Sequence, residues 1–107
     1  MGGVNMADIF ITGSARTAIG SFQGAFSTLS APELGGHAIQ AALAQSGIDA
    51  TAIDDVIMGC VLPAGLGQAP ARQAGFHAGL SNAIPATTVN KMCGSGMKAV
   101  MLGYDQL

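Results

Sequence analysis

Three short runs suited to β-strands alternate with three stretches of helical periodicity, and that alternation limits the fold more than any other feature. Asp8-Ile9-Phe10-Ile11-Thr12 is apolar and β-branched, Asp55 to Gly59 follows an acidic turn, and Thr87 to Asn90 is again β-branched. Runs of this length and type, bounded by turn residues, read as strands. A Gly/Ser-rich loop separates the first run from Ser30-Ala31-Pro32-Glu33, a capping box with Pro32 tolerated in the first turn. The helix it opens runs to about Gln45, and Gly47 closes it. A second helix is expected from Pro70 to about Gly79, and a third from Ser95 to Leu107. Strand and helix in strict alternation predict an α/β chain, a right-handed β-α-β-α-β-α run on a mainly parallel sheet.

The helices differ in how they distribute apolar residues. On the first, Leu34, Gly35, Ala38, Ile39, Ala42 and Leu43 share one face, with Glu33, His37 and Gln40 on the other. His37 is therefore expected to be a solvated surface residue. On the second, Ala71, Ala74, Gly75 and Ala78 form a stripe of small residues that lets another backbone approach closely, and His77 reads as structural or interfacial. The third is apolar almost all round, through Met97, Ala99, Val100, Met101, Leu102 and Tyr104. A helix with so little polar surface is buried on several sides.

Composition then bears on completeness. Charged residues make up 9% of the 107, against about 25% in ordinary soluble domains. Too few charges are present to cover a free-standing domain of this size, and the balance suits a piece of a larger assembly. The four basic residues, Arg16, Arg72, Lys91 and Lys98, are scattered and the net charge is −2, so no nucleic-acid partner is expected. No membrane span is expected, since the longest apolar run, Val56 to Leu62, stops at Pro63. Asp8 is the first charge, so a basic secretory leader is not expected either. Two cysteines without paired spacing suit a reducing cytosol. His37 and His77 have no Cys, Asp or Glu at ligand spacing, which argues against a metal site. Gly65-Leu66-Gly67 completes neither a GxGxxG nor a Walker pattern, which argues against a nucleotide cradle.

The chemistry concentrates at the third strand–helix junction, Thr87 to Val100. A β-branched run ends in a polar turn, a single cysteine follows, and small residues open the helix. Unpaired backbone N–H groups and the helix dipole favour negative charge there, and a thiolate is a negative charge. Gly94 and Gly96 remove side chains beside the sulfur, so a substrate can come close to the backbone. These residues make Cys93 the candidate nucleophile. Cys60, inside the apolar run Asp55 to Leu62, reads as packing.

Asn90-Lys91-Met92-Cys93-Gly94-Ser95-Gly96-Met97-Lys98-Ala99 resembles the acyl-enzyme cysteine motif of thiolases, the acetyl-CoA acetyltransferases. Arg16-Thr17-Ala18-Ile19-Gly20-Ser21-Phe22-Gln23-Gly24 and Gly65-Leu66-Gly67-Gln68-Ala69-Pro70-Ala71-Arg72-Gln73-Ala74 agree with the same family, in its order. The resemblance implies that residues 1–107 are an incomplete N-terminal thiolase domain of a layered fold; separately, residues 1–5 are expected to be a tail, with Met6 the functional start. It also implies that Cys93 takes an acyl group from acyl-CoA, with coenzyme A thioesters as substrates and no permanently bound cofactor. The complete protein is expected to be a cytoplasmic homo-oligomer. The family's later motifs, Asn-Glu-Ala-Phe, Gly-His-Pro and Cys-x-Gly, do not occur in this chain. Their absence keeps a second reading open, a truncated and inactive chain that only pairs with another subunit through the stripe around Ala71 to Ala78. Ketoacyl and chalcone-type synthases also place a cysteine at a helix start, although the Arg16 and Gln68 segments fit thiolases better.

Overall fold

A computed structural model describes residues 8–107; the expected tail at residues 1–5 lies outside them. Among the described residues the element order is helix α1 (Ala31–Ser46), a 3-10 turn (Ala50–Ala52), strand β1 (Val56–Gly59), helix α2 (Pro70–His77), strand β2 (Ala86–Val89) and helix α3 (Ser95–Gln106). β1 and β2 pair in parallel, Val56 opposite Ala86 and Gly59 opposite Val89, with α2 in the crossover between them. The parallel α/β arrangement expected from the alternation is therefore present.

The α1 boundaries follow from its caps. Ser30 sits in an extended conformation, its hydroxyl accepts from the Glu33 N–H at 3.2 Å, and the Glu33 carboxylate accepts from the Ser30 N–H at 2.6 Å. At the other end Gly47 adopts φ 69°, a left-handed turn, and its N–H bonds to the Leu43 carbonyl.

Successive strand residues point to opposite faces, and β1 uses both. Val56 and Met58 face α2 and α1, where Val56 lies near Gly75 and Met58 near Gly35. Gly59 faces α3, and its α-carbon lies so near Ser95 that an added Cβ would stand 2.5 Å from the Ser95 carbonyl carbon. The result is three layers, with α1 and α2 on one side of the strands and α3 on the other. The buried apolar residues Val56, Ala71, Ala74, Leu80 and Ala99 mark the contacts between them.

The small-residue stripe of α2 is used inside the chain. Ala71, Ala74 and Gly75 are buried, and Gly35 and Gly36 of α1 meet α2 so closely that a Cβ on Gly36 would lie 2.5 Å from the His77 Cβ. That contact removes the surface on which a subunit-pairing role through Ala71 to Ala78 relied. His37 and His77 are both exposed.

The first expected strand does not form. Among the described residues Asp8 to Thr12 has no ladder partner, and it leaves Phe10 75% and Ile11 81% exposed. A strand exists through its ladder, and this segment instead crosses α1, with Gly13 against the Ala42 carbonyl and the Ser14 N–H on the Gln45 side chain. α3 also differs from expectation. Ser95 and Ala99 are buried, but Met97, Val100, Met101 and Tyr104 face solvent, so within these residues the helix is covered on one side only.

Candidate active site

β2 ends at Val89, and the chain turns through Asn90, Lys91, Met92, Cys93 and Gly94 before α3 begins at Ser95. Cys93 therefore lies two residues before the first helical residue, at the junction expected for it. Its thiol is free and exposed. The free Cys60 is half-buried beside Pro70, Ala71 and Ala74, and its N–H extends the ladder to the Val89 carbonyl at 2.9 Å, which fits a packing role.

The turn is held from both ends. Upstream, the Asn90 side-chain oxygen accepts from the Met92 N–H at 3.0 Å, and its amide nitrogen donates to the Val61 carbonyl at 3.3 Å. Asn90 thereby ties the cysteine turn to the loop leaving β1. Downstream, the Ser95 hydroxyl accepts from the Lys91 N–H at 2.8 Å and donates to the Met92 carbonyl at 2.6 Å. Backbone bonds from the Gly94 N–H to the Lys91 carbonyl and from the Ser95 N–H to the Met92 carbonyl close it further. Met92 sits at φ 50°, in the left-handed region that side chains with a Cβ rarely adopt.

Two consequences bear on chemistry. Lys91 and Cys93 pair in an isolated parallel bridge, and no side chain among the described residues bonds to the Cys93 N–H, which lies beside the sulfur. Gly96 is uncrowded as well, since a Cβ added there would meet nothing within 4 Å beyond its chain neighbours and its own helix backbone. An exposed sulfur with a backbone N–H beside it and two neighbouring glycines makes a surface on which a tetrahedral oxyanion can form.

The other motif segments lie apart from one another in role. In Gly65 to Ala74, the Gln73 amide donates to the Leu66 and Gln68 carbonyls at 2.6 and 2.7 Å, and Ala69 takes φ 47° just before α2. The Ala71 N–H, unpartnered inside its helix, bonds to the Thr88 hydroxyl on β2 at 3.0 Å. This stretch fixes the loop and seats α2 on the strand that leads to Cys93. Arg16 is exposed, and among the described residues it bonds only to the Thr17 carbonyl beside it. No cluster of metal-ligating side chains occurs among the described residues, and none of their helices is long and apolar enough to cross a membrane. Sequence reasoning placed Cys93 and the polar groups of Asn90 and Lys91. It missed Ser95, whose hydroxyl reaches backward in the chain.

Residues 9–107 match the family described as "Thiolase, N-terminal domain". Over 102 residues the chain is 54% identical to an acetyl-CoA acetyltransferase of Pseudomonas aeruginosa, covering 95% of this chain and 26% of that protein. It is 52% identical over 104 residues to acetyl-CoA acetyltransferase 2 of Arabidopsis thaliana, covering 97% of this chain and 26% of that one. With a mitochondrial acetyl-CoA acetyltransferase B of Xenopus laevis it shares 53% identity over 100 residues, 94% of this chain and 24% of the relative. The chain thus spans about a quarter of the length of the curated relatives it matches.

Proposed function

The chain belongs to the thiolase N-terminal domain family, and from that premise we propose that it supplies the acyl-accepting cysteine of an acetyl-CoA acetyltransferase. Cys93 is that nucleophile. Its thiolate adds to the carbonyl carbon of an acyl-CoA thioester, and the Cys93 N–H donates to the oxygen that becomes negative. The carbonyl re-forms as the bond to the coenzyme A sulfur breaks. Coenzyme A leaves, taking up a proton, and an S-acyl cysteine remains. In the condensing direction a second acetyl-CoA loses a proton from its methyl carbon, and that carbon attacks the S-acetyl group. Acetoacetyl-CoA forms and the Cys93 sulfur is released; cleavage is the same sequence reversed. The base for the carbon acid is assigned, by the family resemblance, to motifs outside this chain.

The observation that carries this reading is the free, exposed Cys93 thiol at the turn that leads into α3, with its own backbone N–H beside it and no side chain on Gly94 or Gly96. Residues 1–107 are read as an incomplete N-terminal domain, the CoA thioester as substrate rather than resident cofactor, and the complete protein as a homo-oligomer. Exposed apolar side chains on α3 support association with further protein, and two free cysteines suit a reducing compartment such as the cytoplasm.

The same exposed face, Met97, Val100, Met101 and Tyr104, is what favours the competing reading of an inactive pairing chain. One experiment separates them. This chain, fused in frame to the remaining three quarters of the Pseudomonas aeruginosa relative, is incubated with isotopically labelled acetyl-CoA and digested for mass spectrometry. The acyl-transfer reading expects label on the Cys93 peptide and none after Cys93→Ala. Absence of label on Cys93, in a fusion that folds, leaves pairing as the function.

A further inference from the structure

We propose that Ser95 is the positioning residue of the nucleophile, its buried hydroxyl clasping the Lys91–Met92 segment so that Cys93 is held facing outward. This inference rests on the acyl-transfer reading of Cys93.

Ser95 is the one buried polar side chain among the described residues, at 4% exposure. A serine at the start of a helix ordinarily accepts from N–H groups ahead of it in the first turn. Ser95 does the reverse. The α3 cap is Gly94, which makes no side-chain cap bond, and both Ser95 hydroxyl bonds run back, to the Lys91 N–H and the Met92 carbonyl. Its bonding is therefore spent on the turn that precedes the sulfur and not on the helix.

What the clasp holds is a conformation the chain would not keep unaided. Met92 at φ 50° carries a Cβ in the left-handed region, which ordinary side chains avoid. Such geometry persists where surrounding contacts over-determine it. Asn90 supplies one contact, to the Met92 N–H, and Ser95 supplies two, on either side of the Lys91–Met92 peptide. Ser95 is itself anchored from below. Gly59 of β1 lies where a Cβ would come within 2.5 Å of the Ser95 carbonyl carbon and 2.6 Å of the Gly96 nitrogen. The sheet thus fixes Ser95, Ser95 fixes Met92, and Met92 aims Cys93.

The test measures the rate of Cys93 acetylation in the fusion described above, by rapid quench and mass spectrometry. Ser95→Ala should slow acetylation roughly ten- to a hundredfold, the scale expected when a reacting atom is misplaced by about 1 Å. Glycine takes positive φ without a steric penalty, so adding Met92→Gly to Ser95→Ala should return most of the lost rate. A serine that only packs predicts the opposite, because removing the Met92 side chain adds a second lesion. If Ser95→Ala alone loses its helical circular dichroism, the double variant decides. Recovery of both fold and acetylation supports the clasp, and a double variant that stays unfolded or slow overturns it. A Ser95→Ala fusion that is acetylated within about twofold of the parent also overturns the positioning role, given an effect predicted at ten times or more. A parent fusion that takes no acetyl group on Cys93 overturns the acyl-transfer reading itself.

Discussion

At the scale of single residues, the two cysteines offer a comparison within one molecule. Cys93 is exposed and Cys60 half-buried under α2. Alkylation needs access to the sulfur, so iodoacetamide at neutral pH should modify Cys93 several times faster than Cys60, read by mass spectrometry of the two peptides. Equal rates would mean that the Cys60 pocket is not formed, and a faster Cys60 would point to the wrong sulfur. The prominence of Cys93 was legible in the sequence because a β-branched run, a polar turn and small residues bracket it. Ser95 was not legible. In sequence it occupies a helix start, where a capping role is the default, and only the folded turn shows its bonds running backward.

Elements repeat the lesson with a different cause. α1 was readable to within a residue because its signals are local: a reciprocal Ser30–Glu33 box and a left-handed Gly47. Removing the Ser30 hydroxyl, as in Ser30→Ala, should cost about 1 kcal/mol in urea unfolding. Glu33 adds a pH dependence. The bond from the Ser30 N–H, and then the Ser30 hydroxyl, holds its carboxyl below the ordinary value of 4.5. A carboxyl depressed on folding contributes stability that is complete above its unfolded pKa and is lost as pH falls through the folded value. Wild-type stability should therefore decline at acid pH through a step that Glu33→Gln lacks, and identical acid limbs would remove Glu33 from the account. Asp8 to Thr12 failed as a strand for a non-local reason, since its pattern is strand-like but no partner strand among the described residues receives it. Glycines on two helices give opposite predictions. Gly36→Ala drives a Cβ into His77 and should destabilise by about 1–2 kcal/mol net of the helix-propensity gain. Gly103→Ala in α3 meets nothing within 4 Å and should stabilise by about 0.5–1 kcal/mol. Urea midpoints of the two variants should move in opposite directions.

For the whole molecule, the described residues form one three-layer unit whose outer side is still apolar. Phe22, Ile19 and Ile11, at the N-terminal end, and Met97 and Val100 on α3 are all exposed. Surface of that kind favours association. The isolated chain should bind a hydrophobic dye and elute above its monomer size, and a dye-silent monomer would contradict the layer arrangement described here. A full thiolase turnover needs, by the family resemblance, the histidine of a Gly-His-Pro motif and the cysteine of a Cys-x-Gly motif, and neither motif occurs in these 107 residues. Purified alone, the chain should show negligible acetoacetyl-CoA synthesis or cleavage in a coupled assay. Robust turnover would mean that the catalytic set is not the family's. Composition had already marked this surface deficit, since a chain with 9% charged residues has little else to present to water. Where the apolar faces would lie was not legible, because it depends on which layers are present.

The parallel pairing of β1 with β2 also sets an order of events in time. Val56–Gly59 cannot find its partner until Ala86–Val89 exists, and the intervening segment must fold into α2 and return. Distant pairings of this kind form late, after the entropy of closing the intervening loop has been overcome. The Asn90 amide bonds to the Val61 carbonyl on the far side of that closure. During synthesis the Cys93 turn therefore sets only after the sheet has closed. Nested truncations followed by hydrogen exchange should leave the β1 amides unprotected in every chain ending before Val89; protection in a shorter chain would reverse the order.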